Sequence, residues 1–486
     1  MNKPLRRLAA AVMVMFGLLL INANYIQVVR ANSLHNDGHN PRLIQEEYSR
    51  KRGPILVGGK PVATSVVTTD RLKYKRSYSS GKLYAPVTGF YSLVYGSNGI
   101  EAAENSILSG TDNSLFVRRV IDLITRVPPQ GGSISLTINA KAQRAAYLGL
   151  AGRKGAVVAV NPTTGAILAL VSSPSYDPNL LSSHDTTAIR NNYKRLSTDP
   201  NQPMLNRALR ETYTPGSTFK LVTAAAALEN GLRPDSKVYN GASLNLPQTT
   251  SNLPNENGRP CTSASAATLT DALANSCNAS FGKVGLDLGA AKLAEQARKF
   301  GFGKAFTVPM RSAVSDFPGN LNPPQTAQSA VGQFSVRASP LQMAMVAAAI
   351  ANHGELMSPY LVQEIRAPDL SPLNVTKPQS LGQAMSAQSA QLLTDMMVNV
   401  VDHGTGTNGQ IPGVKVAGKT GTAQQGGGRR PHAWFVSFAP ATNPRVAVAV
   451  IIENGGNASE ISGNQLAAPI AQRVMRAVLG LSLIHI

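Results

Sequence analysis

Three positive charges, Lys3, Arg6 and Arg7, precede an unbroken apolar stretch from Leu8 to Ile21 and a milder apolar segment that ends near Val29. Residues 8–29 amount to roughly 33 Å of helix at 1.5 Å per residue, enough to cross a bilayer core. The pattern predicts one N-terminal transmembrane anchor over residues 8–29. The segment Ile21-Asn22-Ala23-Asn24-Tyr25 offers no small-x-small cleavage site, which argues against a removed signal peptide. Basic residues ahead of the helix predict a cytoplasmic tail over residues 1–7, with everything after the anchor outside the cell membrane.

Residues 30–145 are polar and irregular, with Gly and Pro punctuation around Arg52-Gly53-Pro54-Ile55 and a Gly-rich stretch at Gly96 to Ile100. A separate small pedestal domain is expected there. The pattern changes at Gly155, where Ala156–Val160 and Ala166–Val171 flank the turn residues Asn161-Pro162-Thr163-Thr164-Gly165, predicting two strands with a tight connection. Three further β-branched segments, Val414–Thr422, Ala433–Phe438 and Val446–Ile452, complete a five-stranded sheet. Between and after these, helical runs stop at glycines: Thr218–Glu229 before Gly231, Leu341–Ala351 before Gly354, and Ser389–Asp402 before Gly404. A last helix is expected over Gln465–Leu479. Strands from distant segments covered by helices predict an α/β (α+β) domain over residues 146–480. No internal repeat or low-complexity tract is present. The closing residues, Leu481 to Ile486, lack the polar character of a natural terminus, so the native end is expected to lie elsewhere.

Composition narrows the partners. Lys plus Arg outnumber Asp plus Glu by 46 to 26, a formal charge of +20, which favours anionic surfaces. With 5% aromatics and no run of five basic residues, no stacking platform for single-stranded nucleic acid is visible, and nucleic acid is not expected as a partner. The two cysteines, Cys261 and Cys277, both fall in the exported part, where a disulfide is chemically permitted. A Cys261–Cys277 bond is therefore a hypothesis, with two unrelated buried thiols as its alternative. The seven histidines are scattered, no His-Glu-x-x-His constellation occurs, and neither metal nor cofactor is expected.

Candidate chemistry centres on Ser217-Thr218-Phe219-Lys220, set between Pro215-Gly216 and an apolar helical run. A serine at a helix start and a lysine three positions on share one face. The lysine can take the serine's proton only if its amine is neutral, which burial, a helix N-terminus and a second lysine would all favour. The spacing alone is weak, since Ser79 to Lys82 and Ser280 to Lys283 repeat it. Ser276-Cys277-Asn278 lies 59 residues beyond Ser217, and Lys419-Thr420-Gly421, which occurs once, follows on a predicted strand. Ser-x-Asn recurs at Ser243 to Asn245 and Ser462 to Asn464. The bland alternatives make Ser217 a helix cap and Lys419 an exposed strand lysine.

The three elements in this order are the set found in penicillin-binding proteins and class A β-lactamases. Together with Lys154-Gly155-Ala156-Val157-Val158-Ala159, Ser173-Pro174-Ser175-Tyr176-Asp177-Pro178-Asn179, Gly418 to Gln424 and Ala433-Trp434-Phe435, they resemble the transpeptidase domain of class B penicillin-binding proteins over about residues 140–480. Arg52-Gly53-Pro54-Ile55 and Gly99-Ile100-Glu101 resemble pieces of that class's pedestal. The resemblance implies that Ser217 attacks the penultimate D-alanine carbonyl of a peptidoglycan stem peptide, with Lys220 as base. Ser276 would relay a proton to the leaving D-alanine beside Lys419, and Asn278 would hydrogen-bond the peptide amide and fix Lys220. Thr420, Gly421 and Thr422 would bind the substrate, the two threonines holding its carboxylate with Lys419. The backbone N–H groups of Ser217 and Thr422 would form the oxyanion hole. β-Lactam antibiotics would acylate the same serine, and a membrane glycan polymerase would be a separate partner, since residues 30–145 leave little room for one.

Rival readings share the residues. A class A β-lactamase needs Glu-x-x-x-Asn between the second and third motifs, and Glu295, Glu355 and Glu364 are followed four positions on by Lys299, Pro359 and Pro368. A D,D-carboxypeptidase, or a β-lactam sensor or scaffold without turnover, would keep the same side chains and stays open at this point.

Overall fold

The structure is a computed structural model that describes residues 3–30, 41–116, 121, 124–126, 128–425, 428–455 and 463–481. The repeat beginning at Ser462, the closing residues 482–486 and the first part of the expected pedestal, 31–40, lie outside the described residues. The N-terminal helix Lys3–Asn24 continues through a wider π turn, Tyr25–Val29. Its apolar stretch Lys3–Val28 has a mean hydropathy of 1.9, and none of it is buried against the rest of the chain.

The pedestal is built on a six-stranded sheet. Ile55–Val57, Lys60–Val67 and Tyr74–Tyr78 run antiparallel in sequence order, the first pair joined through Gly58-Gly59. Both glycines have positive φ, 55° and 74°, as a two-residue hairpin turn requires. Ile55–Val57 also pairs in parallel with Ser133–Leu136. Two strands from far along the chain finish the sheet: Val362–Arg366 pairs antiparallel with Ser133–Leu136, and Pro372–Val375 extends it. The expected second domain, residues 146–480, contains these two strands, which the structure instead places in the pedestal sheet. Short and of mixed polarity, they carry no periodic signal of the partner they find.

Under this sheet the two segments that resemble pedestal pieces meet. Glu101, fully buried, takes Arg52 Nε at 2.6 Å on one carboxylate oxygen and Arg76 Nε at 2.6 Å on the other. Arg52 also donates to the Glu101 carbonyl and to Asn105, and Arg76 to the Gly53 carbonyl at 2.8 Å. Burial pushes the Glu101 carboxyl up, but Arg76 and Arg52 outweigh it and hold it below its ordinary value. Gly53 packs so closely that a Cβ there would lie 1.8 Å from the Gly132 carbonyl oxygen.

The larger domain has the expected five-stranded antiparallel sheet, in the order Ala417–Ala423, His432–Ala439, Val446–Ile452, Gly155–Val160, Ile167–Ser173. Each predicted strand is found within a few residues of its expected limits. Alternate side chains serve two cores, as the period of two demands. Ala156, Val158, Ala447, Ala449 and Ile451 join the core that contains helix Pro340–Ala351. Val157, Ala159, Val448 and Val450 face the other way, onto helices Ala140–Leu150 and Ala468–Leu479.

Helix Ala140–Leu150 is not foreseen in the sequence reading, which drew the domain boundary at residue 145. The helix starts at Asn139, whose side chain accepts from the N–H groups of Lys141 and Ala142, and it packs on the larger sheet. The predicted helix over Gln465–Leu479 is broken into Gly463–Leu466 and Ala468–Leu479. Ala387–Asp402 starts two residues before its expected limit, capped by the Ser386 side chain on the Ser389 N–H.

Candidate active site

The motif strand Ala417–Ala423 is an edge of the larger sheet, and its outer side meets the turn that carries Ser217. That turn, Gly216–Phe219, is a 3-10 turn rather than the first α-turn expected, and it runs directly into the α-helix Lys220–Glu229. Gly216 has a φ of 54°, and a Cβ there would stand 2.8 Å from the Thr422 carbonyl oxygen. A Cβ on Gly421 would stand 2.9 Å from the Thr218 side chain. Two glycines on facing segments thus let the Ser217 turn and the motif strand approach. Gly421 contributes close packing there.

The turn is held from behind. Gly216 N–H donates to the Gly332 carbonyl at 2.9 Å, Thr218 donates its hydroxyl to Pro215 O at 2.7 Å, and Trp434 Nε1 donates to Thr214 O at 3.1 Å. Trp434 is fully buried and pairs with Gly421 across the sheet. The sole tryptophan of the chain therefore connects the motif strand's neighbour to the segment before Ser217.

Lys220 extends its side chain into a polar knot. Its Nζ lies 2.6 Å from Ser276 O, 2.8 Å from Asn278 Oδ1, 3.1 Å from Ser217 Oγ and 3.3 Å from Ser276 Oγ. Lys419 Nζ reaches Ser276 Oγ at 2.9 Å and Thr420 O at 3.0 Å. Ser276 stands between the two lysines with a φ of 58°, a left-handed conformation that costs about 1–2 kcal/mol for a non-glycine residue. Asn278 opens the helix Asn278–Leu288 and donates from Nδ2 to Pro254 O at 3.1 Å. Thr420 shares a 2.7 Å hydrogen bond with Thr405, and Thr422 lies further along the same strand.

Both lysines are fully buried. Burial first, and then the charge of Lys419, hold Lys220 well below the ordinary lysine range, against a smaller opposing pull from Glu256. Burial lowers Lys419 to about 7, again opposed by Glu256. An exposed-lysine reading of Lys419 is thereby overturned. The two Ser-x-x-Lys repeats are occupied otherwise: Ser79 donates to Pro61 O, while Ser280 donates to Tyr239 O and Lys283 pairs with Asp287. Ser243–Asn245 is a strand paired with Asn252–Pro254. Cys261 and Cys277 are joined as a disulfide, so the middle residue of the second motif is tied to a loop 16 positions earlier.

Sequence reasoning thus locates the five charged and polar groups that the fold brings together, Ser217, Lys220, Ser276, Asn278 and Lys419. It misses Thr405, which sits in a Gly-Thr-Gly-Thr run with no motif value, and Glu256, which lies in a polar loop. Among the described residues no group of three or more His, Cys, Asp or Glu side chains is placed to hold a metal ion.

Comparison with known proteins agrees with this geometry. The family described as "Penicillin binding protein transpeptidase domain" matches residues 155–476, and "Penicillin binding protein A dimerisation domain" matches residues 52–134. The chain is 44% identical to the peptidoglycan D,D-transpeptidase PbpA of Mycolicibacterium smegmatis and 43% identical to that of Mycobacterium tuberculosis, covering 99% of this chain and of each relative. Among solved structures, the ceftriaxone acyl-enzyme complex of penicillin-binding protein A from M. tuberculosis superposes with a TM-score of 0.87 at 42% identity, covering 90% of this chain and 100% of that one. The penicillin G acyl-enzyme complex of the same protein gives 0.86 at 42% identity, over 89% of this chain and 100% of that one. With two thirds of its length matched by the family and full-length relatives well above 30% identity, the chain belongs to the penicillin-binding protein transpeptidases.

Proposed function

We propose that this chain is a serine-type peptidoglycan D,D-transpeptidase of cell-wall synthesis, in which Ser217 is the nucleophile and Lys220 its base. The observation that carries the reading is the set of contacts around Lys220 Nζ. A neutral amine has two hydrogens and one lone pair. The two shortest contacts, to Ser276 O and Asn278 Oδ1, use the hydrogens and leave the lone pair for the Ser217 hydroxyl at 3.1 Å.

Ser217 Oγ attacks the carbonyl carbon of the penultimate D-alanine as its proton passes to Lys220. The oxyanion sits on the N–H groups of Ser217 and Thr422, the type of stabilisation that commonly supplies the largest share of acyl-transfer catalysis. The peptide C–N bond then breaks, and the leaving D-alanine nitrogen takes a proton through Ser276, which lies between Lys220 and Lys419. Lys419, Thr420 and Thr422 hold the terminal carboxylate, and Asn278 binds the peptide amide. An amine from a second stem peptide attacks the acyl-enzyme to form the cross-link.

β-Lactams enter the same path with their strained amide in place of the D-alanyl-D-alanine bond. The leaving nitrogen stays tethered, so the adduct outlives a normal acyl-enzyme. The apolar N-terminal helix and the family make the chain a single-pass membrane protein. The charges at Lys3, Arg6 and Arg7 support a cytoplasmic N-terminus with residues 30–145 as pedestal and 146–480 as an extracytoplasmic catalytic domain. A membrane glycan polymerase supplies the strands to be cross-linked.

The test is intact-mass measurement of the ectodomain with penicillin. One long-lived adduct is expected on the wild type and none on Ser217→Ala. Lys220→Ala should slow labelling by at least about 100-fold, within the range of general-base contributions. Labelling of Ser217→Ala at the wild-type rate refutes the assignment.

A further inference from the structure

A cleft of about 780 Å³ opens past the end of the motif strand, and the catalytic groups above do not line it. One wall is the segment before Ser217, including Glu211 and Thr214. The other comes from the ends of three neighbouring strands, including Gln425 and Glu453, and Arg337 stands in the lining as well. Its position fixes which part of a stem peptide can enter it. With the terminal carboxylate at Thr420 and Thr422 and the reacting carbonyl at Ser217, the peptide upstream of the carbonyl must leave past Ala423 toward Gln424 and Gln425. An extended residue advances about 3.3 Å, so the residue before the penultimate D-alanine falls beside Gln424, with its side chain at the cleft.

The charges in the cleft are of two kinds and they are not spent on each other. Glu453 is answered by Arg207 Nε at 2.8 Å and Tyr213 OH at 2.7 Å. Glu211, half-buried beside it, enters no ion pair among the described residues. Burial and then the Glu453 charge raise its carboxyl above the ordinary value, the condition of an acid that gains from an incoming cation. Arg337 likewise enters no ion pair among the described residues. Its guanidinium donates to the Thr214 hydroxyl, three positions before Ser217, and to Val336 O at 3.4 Å, which leaves donors of the fork unused.

We propose that this cleft seats the third residue of the donor stem peptide, and that Glu211 and Arg337 select a diamino acid whose side chain ends in both an ammonium and a carboxylate. Glu211 receives the ammonium and Arg337 the carboxylate. The inference rests on the assignment of Ser217 as the nucleophile and deepens it by naming the substrate.

The test uses the ectodomain and synthetic donors that differ only in their third residue: meso-diaminopimelate, its side-chain amide, L-lysine or L-alanine. The quantity read is kcat/KM for D-alanine release, expressed as a ratio to the alanine donor. Wild type should prefer diaminopimelate over lysine and over the amide by about tenfold each, the size expected for one charge-assisted pair. Glu211→Gln should lower the ratios for diaminopimelate and lysine together by about tenfold. Arg337→Gln should bring diaminopimelate down to the level of lysine, and Arg337→Glu should place lysine above it. That inversion cannot come from misfolding. Equal ratios for all four donors in the wild type, or the same loss for every donor in both variants, overturns the proposal. So does a preference that appears only when the third residue of the acceptor peptide is varied. Failure of Ser217 to label with penicillin would instead remove the nucleophile on which the proposal stands.

Discussion

The two buried lysines divide the chemistry by protonation state. In the proposed mechanism Lys220 acts only as a neutral amine, a form that burial and the Lys419 charge favour and that is lost as pH falls. Burial lowers Lys419 to about 7, so the attraction for a carboxylate proposed for it is present below that value and fades above it. The second-order rate of penicillin acylation should therefore fall at low pH as Lys220 is protonated and decline again on the alkaline side from near 7, since this constant reports the free enzyme. Stopped-flow acylation across the range would show it. A rate flat from about pH 6 to about pH 9 refutes the role given to Lys419. These residues were legible because three short motifs had to recur in one order, and no single motif sufficed. What distinguishes Ser217 from Ser79 and Ser280 is the partner each hydroxyl finds, which spacing does not carry. Thr405, through its hydrogen bond to Thr420, and Glu256, through its charge, act on the site from segments with no local signature of their use.

At the scale of elements, close approach of the Ser217 turn to the motif strand depends on Gly216. An alanine there would meet both the left-handed conformation and the Thr422 carbonyl, a penalty of about 1–2 kcal/mol from the conformation alone. Gly216→Ala should slow penicillin acylation by more than about tenfold while the domain still melts cooperatively. Acylation at the wild-type rate would show that the approach is not needed.

The disulfide works on a neighbouring segment. By chain entropy a loop of this size is worth roughly 3 kcal/mol. Because Cys277 adjoins Ser276, Cys261→Ser with Cys277→Ser should reduce acylation further than the shift in thermal unfolding accounts for. Equal acylation rates would confine the bond to stability. The five strands were readable because both faces of the sheet are buried, so long β-branched runs stand out. Of the helices, the N-terminal one and those near 220–229, 340–351, 387–402 and 468–479 were readable, while Thr186–Ser197, Ala290–Lys299 and Pro323–Ala330 were not. Nor was helix Ala140–Leu150, since its Ala-rich turns follow a polar stretch and its cap Asn139 only makes sense once the sheet behind it is known.

In the whole molecule, the pedestal and the catalytic domain share a sheet. Ser133–Leu136 pairs on one side with Ile55–Val57 and on the other with Val362–Arg366, and Thr137 adds bonds from its N–H to Leu361 O at 2.9 Å and from its hydroxyl to Ile167 O at 2.6 Å. A fragment starting at residue 139 would leave Val362–Arg366 as an open strand edge, the usual site of edge-to-edge association. Such a fragment should aggregate where residues 41–481 stay monodisperse, as light scattering would report. A soluble, penicillin-labelled fragment would refute the coupling. Glu101 is the other point of common dependence. Glu101→Ala strands two buried guanidinium groups and should cost about 3–5 kcal/mol, measured by denaturant unfolding.

Sheet sharing also bears on how such chains can be recombined. A pedestal taken from a relative as one contiguous block would bring Ser133–Leu136 to face a foreign Val362–Arg366, with the ladder and its register left to chance. The heritable unit is split: residues before 139 together with the excursion through 362–375 behave as one gene cassette in two pieces, and chimeras that exchange both pieces should fold where single-block exchanges fail.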